Sequence, residues 1–345
     1  MEIRTLKSHE RETLLELLDG WSLPDGWQGR DFFRRYVEID PTYEDRNYWV
    51  AERDGRLVSC VQIFPRRLRV LGHAVPTGGI GSVFTAESER RSGIAGRVLE
   101  RASEAMIDRG MELSILFAGV IPFYAKRGWR SWACGRTVLR LGDGGPSDDE
   151  PAGVDIEPFD WERDFEEVKA IHSAYSAPRS GTVVRDDGLW AASFRLAGNP
   201  AEEFRVARRG GRVVAYVRAT MLNEVFTVTE LGRLEDGADA LAALVARLLM
   251  PRESDPLAPP GKTSQECRSF ALLPAFDDIP FTVALEHRRV TTAPLEDPTP
   301  MLRCLNLEAL ARRLDISLLP KETPDAFLTR ILPDDTLVFW PADRF

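Results

Sequence analysis

The stretch Gly79-Ile-Gly-Ser-Val-Phe-Thr-Ala-Glu-Ser-Glu-Arg-Arg-Ser-Gly-Ile-Ala-Gly-Arg-Val-Leu-Glu-Arg-Ala102 reads as a strand, a tight turn and a helix. Ile80 to Ala86 is β-branched and aromatic enough for a sheet. From Gly93 onward Ala95, Val98, Leu99, Ala102 and Met106 recur at three- and four-residue spacing, one face of a helix. Gly93 lets the backbone turn between the two. The first amides of such a helix have no intrahelical partner and bind anions, and Arg90 and Arg91 add positive charge at the same end. The turn is built to hold a phosphate or pyrophosphate. No Gly-Lys-Ser/Thr closes it, so it is not a P-loop. Gly79-Ile-Gly81 lacks the third glycine of a dinucleotide fingerprint and precedes a strand.

The turn, Arg90-Arg-Ser-Gly93-Ile-Ala95, resembles motif A of the Gcn5-related N-acetyltransferases (GNAT), Arg/Gln-x-x-Gly-x-Gly/Ala. The resemblance implies that Arg91, Ser92, Gly93, Ile94, Ala95 and Gly96 cradle the coenzyme A pyrophosphate. It also implies that Val83, Phe84 and Thr85 pair with the pantetheine arm along a splayed strand, with Gly119 and Val120 as further coenzyme contacts. Downstream, Pro122-Phe-Tyr-Ala-Lys-Arg-Gly-Trp129 resembles motif B, Phe-Tyr-x-Lys-x-Gly-Phe, whose tyrosine lies near the coenzyme sulfur. A free tyrosine titrates at about 10, so Tyr124 is a proton donor at neutral pH and the expected general acid for a departing thiolate.

Composition bounds the rest. The 345 residues suit two domains, each with a core of its own, and 43% hydrophobic with 29% charged residues is the balance of a soluble globular protein. A formal charge of −9 disfavours a nucleic-acid partner and mildly favours cationic substrates. Cys60, Cys134, Cys267 and Cys304 stand singly, which indicates neither a disulfide framework nor a metal site. His9, His73, His172 and His287 are equally scattered and read as surface or satisfied core residues. The N-terminus has no apolar signal core, and no run approaches the roughly 20 apolar residues of a membrane span, so a cytoplasmic protein without membrane contact is expected.

Working outward, Glu2 to Leu6 is expected as a first strand and Ser8 as the cap of a helix carrying Leu14, Leu15, Leu17 and Leu18. A second helix, about Arg30 to Glu38, carries Phe32, Phe33 and Tyr36. Trp21 and Trp27, in the connection before it, either wall an acceptor pocket or pack on the sheet. A hairpin turns on Asp54-Gly55 as a type I′ loop does, its second strand runs to about Val70, and a third follows Gly72-His73. Another strand, about Glu112 to Phe117, precedes the second motif. The expected fold is α/β (α+β): a catalytic domain over 1–141 with a mixed, mostly antiparallel sheet flanked by helices, then a linker over 142–153.

The second half repeats the first. Val50-Ala-x-Arg-x-Gly55-Arg-x-Val58-x-x-Val61 recurs as Val206-Ala-x-Arg-x-Gly211-Arg-x-Val214-x-x-Val217, an offset of 156 residues (206 − 50). Val83-Phe-Thr85 recurs as Val225-Phe-Thr227 at an offset of 142 (225 − 83), and a helix with Ala238, Leu241, Leu244, Val245 and Leu248 follows. The turn of this copy, Gly232-Arg-Leu-Glu-Asp-Gly-Ala-Asp239, carries a single arginine and acids that satisfy the helix dipole themselves. One coenzyme site is expected, in the first domain, with 154–300 a degenerate GNAT-like domain. Pro251 to Gly261 and Thr291 to Pro300 read as loops. A C-terminal α/β segment, 301–345, is expected to hold a helix over Leu307 to Leu314, a segment with Phe327, Leu328 and Ile331, and a strand over Thr336 to Trp340.

This order resembles the tandem acetyltransferases typified by the enhanced-intracellular-survival (Eis-like) proteins, although about 45 residues are too few for that family's C-terminal domain. The resemblance implies transfer of the acetyl group of acetyl-CoA to a primary amine by direct attack, no metal, and assembly into homo-oligomers. Gly79 to Val83 offers no acid to act as base. In the tandem family the terminal carboxylate plays that part, which makes Phe345 a candidate base beside the alternative of a water relay. The rival reading from another class is a non-catalytic acyl-CoA-binding sensor or interaction protein.

Overall fold

Two seven-stranded sheets organise the chain in a computed structural model that describes every residue except 24–26, 133, 144, 146–150, 152, 197–201, 260 and 334–335. Most of the expected linker, 142–153, therefore lies outside the described residues. The first lobe contains β1 (Glu2–Thr5), α1 (Arg11–Leu18), α2 (Gly29–Glu38), β2 (Tyr48–Arg53), β3 (Arg56–Val70), β4 (His73–Thr85), α3 (Ile94–Asp108), β5 (Leu113–Phe117), α4 (Ile121–Ala125) and β6 (Arg130–Ser131). The chain then crosses as β7 (Cys134–Leu141) into the second lobe. That lobe continues through β8 (Val154–Pro158), α5 (Trp161–Ser176), α6 (Asp187–Leu196), β9 (Glu203–Arg209), β10 (Arg212–Leu222), β11 (Val225–Arg233), α7 (Ala238–Leu248), α8 (Ser264–Cys267), β12 (Ala271–Pro274), α9 (Ile279–His287) and β13 (Val290–Asp297). The last strand, β14 (Pro300–Cys304), returns to the first lobe, and α10 (Leu307–Arg313) and α11 (Pro324–Ile331) pack on it.

The sheet orders are β1-β2-β3-β4-β5-β14-β6 and β13-β7-β12-β11-β10-β9-β8. Among the described residues only β4–β5 and β11–β12 pair in parallel, so both sheets are mixed and mostly antiparallel, as expected. The lobes exchange one strand each. β7 lies in the second sheet between β12 and β13, and β14 lies in the first between β5 and β6. A division at 141 and 300 therefore does not follow the sheets: β7, which it leaves at the end of the first domain, belongs to the second lobe's sheet, and β14, which opens the expected C-terminal segment, belongs to the first lobe's. The reason is hydrogen bonding. β5 and β12 each leave one edge open, and an antiparallel strand from the other lobe satisfies it as well as a local one.

Three further expectations change. Thr291 to Pro300 is not a loop; β13 occupies most of it and tolerates Pro294 because it is an edge strand. Ser8 does not cap a helix but donates to Asp45 at 2.6 Å. Thr336 to Trp340 pairs with no strand among the described residues. It runs extended between the lobes, with Leu337 and Phe339 in the first-lobe cluster and Val338 and Trp340 in the second-lobe core.

The repeat holds in detail. Val50 faces Cys60 and Val206 faces Tyr216, Arg53 faces Arg56 and Arg209 faces Arg212, and both hairpins carry the same irregularity, skipping Val58 and Val214. Both turn through two residues of positive φ, Asp54 (52°) with Gly55 (77°) and Gly210 (59°) with Gly211 (82°). The strand after the hairpin aligns differently from the tripeptide match. Phe84 faces Cys60, while Gly232 faces Tyr216, so the counterpart of Phe84 is Gly232 at an offset of 148 (232 − 84), not Phe226.

β4 is the spine of the first lobe. On one side Ile80 packs with Ile94, Val98, Leu99, Ala102 and Met106 of α3. On the other, Phe84 packs with Leu14, Leu15 and Leu18 of α1 and Phe33 and Tyr36 of α2. Each buried aliphatic or aromatic side chain contributes about 1.5–3 kcal/mol.

Candidate active site

β4 pairs with β5 only from Thr77 to Ile80; beyond that the strands diverge, and among the described residues Val83, Phe84 and Thr85 have no partner strand on that side. The divergence begins at a bulge, where Ser82 and Val83 together oppose Val61. Ser82 takes a φ of 49°, which a side chain rarely adopts. Buried hydrogen bonds hold it there: Tyr48 Oη donates to Ser82 Oγ at 3.2 Å, and Ser82 Oγ donates to Gln62 Oε1 at 2.9 Å. The extra residue turns Val83 toward α3 while Phe84 stays with α1 and α2. A groove of about 360 Å³ lies along the freed segment, lined by Gly20, Trp21, Ser22, Val83, Phe84, Thr85 and Arg90. Trp21 stacks on Phe84 at 5.7 Å, so it both packs on the sheet and walls the groove.

At the end of the groove α3 begins. Gly93 is its N-cap in the left-handed region (φ 78°), no side chain caps it, and its first turn holds no acid. The amides from Arg91 to Gly96 have no hydrogen-bond partner among the described residues, which leaves an anion site of the kind the sequence suggests. Arg91 turns with a φ of 63°, and Arg90, Arg91, Ser92 and Gly93 are all exposed. Arg90 donates to the Thr85 carbonyl at 3.2 Å, tying the turn to the groove.

The sequence reading missed Arg127. Its guanidinium lies against the first turn of α3, so close that a Cβ on Gly96 would fall 1.9 Å from Nη2. Its nearest carboxylate is Glu100, at 3.7 Å, and its Nε is buried without a hydrogen bond. A cation at a helix N-terminus is repelled by the dipole unless an anion sits between them. The signal was present in Gly96, a helix-forming position left without a side chain.

Tyr124 stands on α4, beyond the end of β5, and packs with Phe123 and Trp129 against the cluster that contains Ile80 and Val83. Trp129 is fixed by donating to Ser114 Oγ at 3.2 Å. The Tyr124 hydroxyl has no hydrogen-bond partner among the described residues, and burial pushes its pKa up to about 12, so it remains a proton donor across the neutral range. Gly119 and Val120 form the exposed link between β5 and α4.

Phe345 reaches the opposite face of β4. A Cβ on Gly79 would lie 2.3 Å from its ring, and one on Gly81 would lie 3.5 Å from its terminal oxygen. The ring stacks on Phe64 at 4.9 Å and meets Phe117 and Phe339 edge-on or tilted. Of the two glycines that fail as a nucleotide fingerprint, Gly79 is thus bare because the Phe345 ring lies on it, and Gly81 because the Phe64 ring, 2.9 Å from an added Cβ, does. Val83 to Thr85 and Phe345 thus lie along the carboxyl half of β4, the turn over Arg91 to Gly96 follows its end, and Tyr124 packs into the cluster that contains Ile80 and Val83. Among the described residues no group of His, Cys, Asp or Glu could hold a metal ion, and no helix is long and apolar enough to cross a membrane.

Residues 2–131 match the family model described as an acetyltransferase (GNAT) domain. No curated protein is matched by sequence. Among solved structures, a GCN5-related N-acetyltransferase from Anabaena variabilis superposes with a TM-score of 0.65 at 14% identity, over 89% of this chain and 74% of that one. Eis1 from Mycobacterium abscessus gives 0.58 at 19% identity, over 90% and 75%. The N-myristoyltransferase of Saccharomyces cerevisiae, with bound myristoyl-CoA, gives 0.54 at 13% identity, over 88% and 78%. The match places a GNAT acetyltransferase domain in the first lobe, which supports an acyltransferase, and the two-lobed fold is shared with Eis1.

Proposed function

We propose that the chain transfers the acetyl group of acetyl-CoA to a primary amine, on a small molecule or a lysine side chain, by direct attack. The observation that carries the reading is the convergence on one strand: a freed peptide edge, an uncapped cationic turn, a buried phenol and the chain terminus. In this reading Arg91 to Gly96 hold the diphosphate, with Arg127 as an added cation, and Val83 to Thr85 align the pantetheine amides. Gly119 and Val120 border the thioester.

The Phe345 carboxylate takes a proton from the incoming ammonium group. The neutral nitrogen then adds to the thioester carbonyl, forming the carbon–nitrogen bond and an oxyanion that backbone amides of the freed strand stabilise. Collapse breaks the carbon–sulfur bond, the Tyr124 phenol gives its proton to the departing thiolate, and the second proton still on the nitrogen passes through solvent to the tyrosinate, which restores the phenol. Products are an acetamide and free coenzyme A. Tyr124 and Phe345 lie toward opposite faces of β4, so one group takes a proton on the acceptor side while the other gives one on the sulfur side.

Tyr124→Phe removes only the hydroxyl and should lower kcat about a hundredfold while coenzyme affinity stays within a factor of two. The measurement is thiol release from acetyl-CoA with a panel of polyamines, aminoglycosides and lysine peptides. Undiminished turnover removes Tyr124 from the mechanism. Coenzyme binding without thiol release for any amine leaves a binding protein instead.

A further inference from the structure

Building on the reading of the terminal carboxylate as base, we propose that the second lobe holds that carboxylate in place: Arg185, anchored by Glu230, grips Asp343 and so seats Phe345 on Gly79 and Gly81. Arg185 and Asp343 are positioning residues in this scheme. Arg185 Nε donates to Asp343 Oδ1 at 2.6 Å, and its Nη2 donates to Glu230 Oε2. The Arg185 side chain is 1% exposed, that of Glu230 0% and that of Asp343 6%. Glu230 lies on β11 opposite Arg218, as Gly81 lies on β4 opposite Gln62 (218 − 62 = 156), and Tyr216 Oη donates to it at 2.9 Å. The strand position next to the first lobe's chemistry has thus become an anchor in the second.

The tail approaches this anchor along a fixed path. Val338 N donates to the Ser180 carbonyl at 2.8 Å, Trp340 Nε1 donates to Ser176 Oγ at 3.2 Å, and residues 341–343 form one tight turn. From Asp343 the terminus is two residues away, a reach of at most about 7 Å, so fixing Asp343 confines the carboxylate. Stability alone does not account for the arrangement. Buried ion pairs often contribute no more than apolar side chains of the same volume, and here Arg185 Nη1 and Asp343 Oδ2 are buried with no hydrogen bond among the described residues.

The full chain is compared with three variants: Asp343→Asn, Gly79→Ala, whose new Cβ meets the Phe345 ring, and a glycine added after Phe345. Each is measured for kcat, KM for acetyl-CoA and the rate at which carboxypeptidase releases the terminal residue. Asp343→Asn should lower kcat about tenfold or more and speed release of Phe345 by a similar factor, with KM for acetyl-CoA within about twofold. Gly79→Ala should do the same from the other end of the contact, and it carries the test should Asp343→Asn not fold. Wild-type kcat and wild-type release in both variants overturn the proposal. Full activity with the added glycine sinks the carboxylate base itself, and faster release in Asp343→Asn would still support the grip on the tail.

Discussion

The two lobes share a hairpin residue for residue, including the bulge at Val58 and Val214, yet their coenzyme-facing ends are chemically opposite. In the first lobe, the amides before α3 are bare, its first turn holds no acid, and Arg90, Arg91 and Arg127 surround it. In the second, the first turn of α7 carries Asp239, which is paired with Arg209 at 2.7 Å. The gap between strand and following helix is closed as well. Arg233, the counterpart of Thr85, bonds at 2.7 Å to Asp278, the N-cap of α9, and Tyr175 Oη donates to the same carboxylate at 2.5 Å. The fold alone does not make a coenzyme site. In the proposed reading the site exists where the wedge beside the central strand is left open and where Arg90 and Arg91 have no carboxylate partner among the described residues, and it is lost where the chain fills both.

The comparison breaks most visibly at the phosphate turn. Arg90→Glu with Arg91→Glu puts two acids beside the bare amides and should weaken acetyl-CoA binding about a hundredfold or more, since each charge-assisted contact contributes about 1.5–3 kcal/mol. Calorimetry of the wild type should find one site per chain. A second site of similar affinity, or binding undisturbed in the double variant, would show that the lobes do not differ as their turns suggest.

A smaller effect tests the closed wedge. Asp278→Asn keeps the oxygen that caps Phe281 N but removes the charge that Arg233 and Tyr175 share. The side chains of Arg233 and Asp278 are 11% and 2% exposed, so the loss should cost about 1–2 kcal/mol, read as a lower midpoint in urea. Acetyl-CoA stoichiometry should remain at one. A rise to two in this variant would mean that the ionic brace alone, and not the acidic turn, excludes the coenzyme.

Much of this contrast is legible in the sequence because it is local. Two positive-φ residues flanked by alternating apolar positions fix each hairpin, and a glycine between arginines and an apolar helix face fixes the turn. What depends on distant partners is not. Cys134–Leu141 reads as a strand whichever sheet it joins, and only the free edge beside β12 decides. The repeated Val-Phe-Thr misleads because three residues carry too little register information; the pairing through Cys60 and Tyr216 moves the match by six residues (148 − 142). Gly79 makes sense only once the Phe345 ring arrives from the far end of the chain. Arg185 and Asp343 are 158 residues apart, and no pattern links them.

The smallest effect distinguishes the lobes by pH. In the second lobe His172 is buried against Trp190, its Nε2 has no partner, and burial, helped by Arg185, lowers its pKa to about 3. The unfolded chain binds that proton near 6.5 and the folded chain does not until about 3. Protons therefore favour the unfolded state, and the stability from neutral His172 is complete above 6.5 and lost as pH falls below it. Tyr124 in the first lobe works at the other end: its pKa is raised to about 12, so the unfolded chain releases the proton first and stability is lost between about 10 and 12. Between pH 7 and 6 the histidine should remove less than about 1 kcal/mol, seen as a fall in Tm that His172→Phe flattens. An equal fall in that variant would move the acid sensitivity out of the second lobe's core and remove this difference between the two halves.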